Sequence, residues 1–208
     1  STIFYGNASL SPEEFNGLSV RYSDASALNA QNMINGGGVG SDNTSVWLVV
    51  WGQNTCHAIF PKGSKAGLEH KDLGEQTVED GTGIAGSVFQ AYRDHWKWKA
   101  GIALKDWRYV VRICNISISA LAAGTGVDLP TVMIKAIHRL PNMNMGKAVF
   151  YMNRTVMQYL DIQRRDDVQS GGQLDYSVVD GKMIYAFRGI PLKKCDALLE
   201  TEAAIVFP

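Results

Sequence analysis

The sequence has few cysteines, no long apolar run and no excess of charge of either sign. Its three cysteines, Cys56, Cys114 and Cys195, are far apart and include no CxxC pair, so we expect reduced thiols and no disulfide framework. No stretch reaches the roughly 18 apolar residues of a membrane helix. No basic segment followed by an apolar one indicates a signal peptide. We therefore expect a cytoplasmic product without a membrane partner.

Charge is balanced, with 20 Lys and Arg against 20 Asp and Glu among 208 residues. This neutrality argues against a dedicated nucleic-acid binder, which usually has a clearly basic domain. It leaves room for a locally basic face. The length and the 46% of hydrophobic residues suffice for one large domain or two small ones with a sizeable core.

The sequence also lacks the motifs of common enzymes and metal proteins. GxSxG, HExxH and CxxC are absent, and the glycines at 36–40 lack the spacing of a dinucleotide-binding loop. Two Gly-Lys pairs precede Ala148 and Met183, where a phosphate-binding loop needs Ser or Thr. His70 and Asp72 alone are too few ligands for a metal ion. We therefore predict a protein that is not an enzyme and has no cofactor.

Strand patterns dominate the first half of the chain. The continuous apolar run at 46–51 predicts a strand buried on both faces, and 55–60 predicts a second strand. Residues 61–74 are polar and are interpreted as a loop. The long alternation over 92–104 predicts a strand that forms an antiparallel hairpin with 107–113.

Helix caps and a hairpin signal mark the second half. Asp128 predicts a cap for a helix through Leu140, and Asn153 caps another helix after a strand at 147–152. Asp180-Gly181 is a strong type I′ turn signal. Further predicted elements are short helices at 11–16 and 25–34, hairpin strands at 176–179 and 182–187, and a closing strand at 203–207.

Basic side chains cluster in two places, which we take as candidate inter-subunit or DNA-facing residues. Alternation along the predicted strand puts four of them on one face, and the preceding loop supplies the others. A surface that simply faces water is the alternative interpretation of both clusters. The opposite strand face, with Trp96 and Trp98, is predicted to be core. The candidate residues are Lys62, Lys65, Arg93, His95, Lys97 and Lys99.

The late elements, followed by Gly189-Ile190-Pro191 and Asp196, resemble the C-terminal part of the major capsid proteins of tailed bacteriophages. Two earlier runs, at 45–75 and 92–116, are similar to a narrower group, the capsid proteins of epsilon-type short-tailed phages and related prophages. The resemblance covers nearly the whole chain. The earlier runs are its more specific part, because the late pattern is shared with encapsulin-like shells.

The resemblance implies an α+β fold of the Hong Kong (Johnson) type, with this chain holding the A-domain and part of the P-domain. The N-terminal arm, E-loop and spine helix of that fold would precede Ser1 and be missing. The implied segments are the exit of the spine helix or a P-domain segment at 1–24, A-domain parts at 25–74 and 117–195, a long P-domain β-hairpin at 75–116, and a C-terminal return strand at 196–208.

The function implied by the resemblance is structural. The protein would self-assemble through pentamers and hexamers into an icosahedral shell that encloses phage double-stranded DNA. It would be found in the virion after assembly in the bacterial cytoplasm, with portal and cement proteins as further partners. Without arm and E-loop, we expect this chain to be a monomer or a small oligomer. Two alternatives stay open: an encapsulin-like compartment, and a small-molecule enzyme of unrecognised type.

Overall fold

The computed structural model describes residues 1–63, 67–81, 87–166, 175–179 and 182–208. The chain forms two compact units, one of residues 1–57 and 102–208 and the other of residues 58–101. Among the described residues, no helix is long and apolar enough to cross a membrane. The α-helices are α1 (Thr2–Tyr5), α2 (Leu18–Arg21), α3 (Ile118–Ala122), α4 (Leu129–Arg139) and α5 (Arg154–Asp166).

The strands fall into one large mixed sheet and one two-stranded ribbon. In chain order they are β1 (Met33–Asn35), β2 (Asn43–Trp51), β3 (Cys56–Ile59), β4 (Leu68–Glu79), β5 (Val88–Trp98), β6 (Gly101–Leu104), β7 (Val110–Ser117), β8 (Lys147–Met152), β9 (Asp175–Val179), β10 (Lys182–Phe187) and β11 (Ile190–Lys194).

The sheet of the larger unit has the order β1-β7-β2-β8-β11-β10-β9 over the strands described. β1 runs parallel to β7, and β11 runs parallel to β8, while the pairs β7–β2, β2–β8, β11–β10 and β10–β9 are antiparallel. β3 pairs with β2 and β6 beside this path. The architecture is therefore α+β, as the sequence predicts.

β2 lies at the centre of the sheet and is buried along eight of its nine residues. Its alternating side chains contribute to two separate cores. Val46, Leu48 and Val50 pack with the apolar stripes of α4 and α5 on one side. Trp47 and Val49 pack with the N-terminal segment on the other. The prediction of a strand buried on both faces is confirmed, because each face of the sheet has its own cover.

Several other predicted elements are also confirmed. α4 begins after Asp128, β8 occupies the predicted strand, and Asn153 Oδ1 accepts a hydrogen bond from Thr155 N at the start of α5. β9 and β10 form the predicted antiparallel hairpin. The turn residues Asp180 and Gly181 lie outside the described part of the chain.

The smaller unit corrects the prediction for residues 61–113. β5 does not continue to residue 104 and does not pair with 107–113; it pairs with β4, which includes much of the predicted loop. The predicted hairpin partner is instead a 3₁₀ turn followed by β7, in the large sheet. The prediction of a hairpin within 75–116 therefore named the wrong strands. The apolar alternation of residues 68–79 is too weak to indicate that they form a strand.

Three smaller predictions are also wrong. Residues 11–16 form turns in place of a helix, because the chain folds back against Gly6. The approach is so close that a Cβ added to Gly6 would lie 2.3 Å from the carbonyl oxygen of Phe15. Residues 25–34 contain a 3₁₀ helix and then β1. Residues 203–207 form no strand. The side chain of Asn115 takes the place of a strand partner there, donating to Ile205 O and accepting from Ile205 N, each at 2.8 Å.

Candidate functional site

The candidate basic residues lie in the 58–101 unit, and one strand face brings three of them together. Alternate positions of β5 place Arg93, His95 and Lys97 on the same side. Lys99 follows the strand, and Lys62 is an exposed turn residue before β4. Lys65 lies outside the described residues.

The register of the ribbon adds a fourth basic residue to this side. Lys71 lies directly opposite His95, and Glu69 lies opposite Lys97. Arg93 donates a hydrogen bond of 3.3 Å from Nη1 to Gln76 Oε1. We call Lys71, Arg93, His95 and Lys97 the basic face. It contains one carboxylate, that of Glu69.

The reverse side of the same two strands is acidic. Asp72 lies opposite Asp94, Glu75 opposite Tyr92, and Glu79 opposite Val88, with a bulge in β4 between Asp72 and Glu75. We call Asp72, Glu75, Glu79 and Asp94 the acidic face. No Lys or Arg occupies the strand positions on this side. The two faces of the ribbon therefore carry opposite charge. Residues 58–101 as a whole are balanced, because they contain as many Asp and Glu residues as Lys and Arg residues.

An aromatic group occupies one end of the acidic face. The His70 ring stacks on Trp96 with centroids 4.0 Å apart, and its Nε2 lies 2.7 Å from Asp94 Oδ1. Tyr92, Trp96 and Trp98 are 84%, 58% and 67% exposed. The prediction that Trp96 and Trp98 form core is wrong, because a two-stranded ribbon gives them no covering layer within the described residues.

Sequence reasoning missed the acidic face entirely. It considered His70 and Asp72 only as a weak metal pair, and it assigned the preceding segment to a loop. The available signal was Asp80-Gly81, a turn dipeptide that follows the 12 residues of β4 and precedes the 11 residues of β5. Gly81 has a φ of +69°, which suits glycine at that turn.

A buried polar network joins the two ends of the larger unit. The Arg112 guanidinium donates to Glu202 Oε2 at 2.9 Å, to Ser45 Oγ at 3.0 Å and to Tyr22 O at 2.7 Å. Its Cζ also lies 5.1 Å from the ring centroid of Trp47. A single Arg inside the apolar run of β7 was the sequence signal for this network.

Tyr5 extends the network to the N-terminal helix. Its hydroxyl donates to Glu202 Oε1 and accepts a hydrogen bond from Leu199 N at 3.0 Å. Burial, reinforced by the nearby Glu202 carboxylate, raises the pKa of Tyr5 well above its usual value. α1 and the C-terminal segment are therefore fastened to the sheet by buried, paired polar groups, which is a structural arrangement.

A second, exposed cluster surrounds Asp42, just before β2. Its carboxylate accepts hydrogen bonds from Ser119 Oγ at 2.5 Å, Ser119 N at 3.1 Å and Ser117 Oγ at 3.0 Å. These hydrogen bonds, those from Ser119 first, lower the pKa of Asp42 to about 2. The cluster fixes the connection between β7 and α3.

The described residues offer little for metal or thiol chemistry. No group of three or more His, Cys, Asp or Glu side chains among them could hold a metal ion. Burial raises the pKa of Cys56 and of Cys114 to about 11, so both thiols are protonated at neutral pH and are poor nucleophiles.

Comparison with known proteins identifies the family. A family model described as "Major capsid protein GP7" matches residues 1–206. No curated protein matches the chain. Among solved structures, a chain of bacteriophage Epsilon15, determined by cryo-EM and modelling, is 30% identical with a TM-score of 0.59.

That match covers 97% of this chain and 61% of the Epsilon15 chain, so this chain spans less than two thirds of its solved relative. It confirms the α+β, Hong Kong-type fold that the sequence predicts. The match over residues 1–206 extends across both compact units. The chain therefore belongs to the major capsid protein GP7 family.

Proposed function

We propose that this chain is the folded body of a phage head subunit, which assembles with copies of itself into an icosahedral shell around double-stranded DNA. The observation that carries the proposal is the family match over nearly every residue. The comparisons favour a phage capsid over an encapsulin-like compartment, since they point to a major capsid family and a bacteriophage. The role is structural and not enzymatic.

The chemistry of the chain fits a structural subunit that functions by contacting other copies of itself. Its polar networks hold the ends of the chain to the sheet, and its most exposed aromatic side chains lie on the ribbon. Weak contacts between such subunits suffice, because closure around symmetry axes multiplies them. Pentamers and hexamers would be the units of that closure, with portal and cement proteins as further partners, after assembly in the host cytoplasm.

Within the shell, we assign residues 25–74 and 117–195 to the A-domain, residues 75–116 to the P-domain, residues 1–24 to the exit of the spine helix or a P-domain segment, and 196–208 to the C-terminal return segment. The compact unit of residues 58–101 crosses the proposed boundary at residue 74, so that boundary needs a direct test. A cryo-EM map of assembled shells would show each segment against the symmetry axes.

Expression of the complete reading frame tests the function. We expect closed shells with five-fold vertices by electron microscopy, containing nuclease-protected DNA after packaging in the host. The 208-residue chain alone should stay a monomer or small oligomer at low concentration. A full-length product that remains small in light scattering, with native circular dichroism, would refute the shell-forming role.

A further inference from the structure

The ribbon presents opposite charges on opposite sides of two strands. The acidic face has four carboxylates, and the basic face has Lys71, Arg93 and Lys97 with His95 among them. Most of these side chains are exposed in the single chain. A second ribbon placed on the first, acidic face against basic face, would therefore meet a surface of opposite charge.

Cross-strand pairing makes the same point locally. Asp72 and Asp94 are directly opposite each other, and His70 contacts Asp94. Like charges at opposed positions destabilise a sheet, and such local conflict is expected where a residue serves a function outside the fold. A basic face from another molecule would relieve the repulsion between these two carboxylates.

Both faces also expose apolar surface. Trp96 and Trp98 lie on the acidic face, and Phe89, which is 50% exposed, lies on the basic face beside Val78. Aromatic side chains flanked by charged residues are typical of interface centres and rims. The two kinds of surface needed for a specific contact are therefore present on each side.

We propose that the ribbons of neighbouring copies stack face to face, the acidic face of one copy against the basic face of the next. The partner is a second copy of this chain, so the inference rests on the proposed shell-forming function. Such a contact is heterologous: each copy uses one face and leaves the other open, so it propagates into rings or chains and does not stop at a dimer.

Nucleic acid is a poorer occupant of the basic face. The acidic face lies on the back of the same two strands, and a bound duplex would remain within about one Debye length, roughly 8–10 Å, of its carboxylates. Glu69 also lies among the basic side chains, opposite Lys97. A second ribbon uses both faces, whereas a duplex would use one and be repelled by the other.

Charge reversal tests the stacking, with sedimentation velocity over a concentration series of the 208-residue chain. We expect concentration-dependent oligomers of the unmodified chain that weaken as salt is added. Asp72→Lys, Glu75→Lys and Glu79→Lys together make both faces net positive, and Lys71→Glu with Lys97→Glu makes both net negative. Each set of substitutions should weaken association by roughly tenfold or more, since like charges are then juxtaposed.

Complementation provides the decisive arm. An equimolar mixture of the two variants should associate as the unmodified chain does, because each reversed face then meets a partner of opposite charge. The chain carrying all five substitutions should also recover, because both faces are then reversed. Matched controls reverse exposed charges of the larger unit, with Glu13→Lys plus Asp161→Lys and Lys135→Glu plus Lys147→Glu, and should leave association unchanged. Circular dichroism confirms that each variant is folded.

Three results would overturn the proposal: an unmodified chain that stays monomeric throughout, folded variants that associate normally, or a mixture that fails to recover. Titration with duplex DNA provides a further arm. Loss of DNA binding in the Lys71→Glu, Lys97→Glu variant, with association unchanged, would assign the basic face to nucleic acid. If the full-length protein still forms shells when only its acidic face or only its basic face is reversed, the shell-forming function stands and the stacking proposal is refuted. If the two variants complement each other but the full-length protein forms no shells, the stacking proposal stands and the shell-forming function is refuted.

Discussion

The Arg112 guanidinium and the Glu202 carboxylate form an ion pair of 2.9 Å across 90 residues of sequence, with 6% and 7% of their side-chain surfaces exposed. Removing one buried partner leaves the other charge without compensation, which is strongly destabilising. We expect Glu202→Ala to lower the free energy of unfolding by about 3–5 kcal/mol, measured by urea denaturation.

The control for this pair is the combined substitution Arg112→Leu with Glu202→Leu. It leaves no lone charge, so it should cost clearly less than the sum of the two single changes. Additive losses would show that the two side chains do not stabilise each other.

Trp47 and Trp96 provide a matched pair of tryptophans, one fully buried between Phe4 and Tyr22 and one exposed on the ribbon. Trp47→Ala should lower the free energy of unfolding by about 3–5 kcal/mol, through lost burial and the cavity left behind. Trp96→Ala should change it by no more than about 0.5–1 kcal/mol. Equal effects in urea denaturation would contradict the two-unit arrangement of the core.

Thiol reactivity should distinguish the three cysteines. Cys56 and Cys114 are buried with pKa values near 11, so little thiolate is present at pH 8 and access is restricted. Cys195 is partly exposed. In the native protein, a chromogenic disulfide reagent should modify Cys195 first. In urea, the same reagent should modify all three thiols. Prompt native reaction in the Cys195→Ser variant would show that the core opens.

Asp42 should titrate at about pH 2, as its pKa indicates, whereas the unfolded chain titrates near 3.9. Because the folded pKa is the lower one, its contribution to stability is present above about pH 4 and is lost as pH falls toward 2. Ser119→Ala should raise the midpoint of the Asp42 carboxyl carbon in an NMR titration.

Asp24 is the internal reference for that titration, since its pKa is lowered by Ser26 and not by Ser119. Its midpoint should be the same in both proteins. An Asp42 midpoint that does not move in the Ser119→Ala protein would mean that the hydrogen bonds from Ser119 do not form in solution.

Sequence reasoning succeeded where one residue pattern determined one local structure. The apolar run of β2, the start of α4 after Asp128 and the Asn153 cap occur as predicted, although the Asp128 side chain makes no capping hydrogen bond. These features depend on periodicity and capping, which act over a few residues.

It failed where the partner of a segment decided the outcome. Residues 68–79 form a strand because they pair with β5. Their own sequence is polar and does not indicate a strand. Asn115 replaced a strand partner for Ile205, which only the folded chain brings near. The acidic face was missed for the same reason, since its two strands were not predicted to pair.

The two units differ in how far apart along the chain their partners lie. In the ribbon, β4 and β5 are separated by one short connection, whereas β1 pairs with β7 and Glu202 N donates to Asn43 O at 2.8 Å. Contacts between distant residues form slowly, and chains are made from the N-terminus. During synthesis, the ribbon can form soon after residue 101 emerges. The Arg112–Glu202 pair cannot form until residue 202 has emerged, so the larger unit is completed after the ribbon.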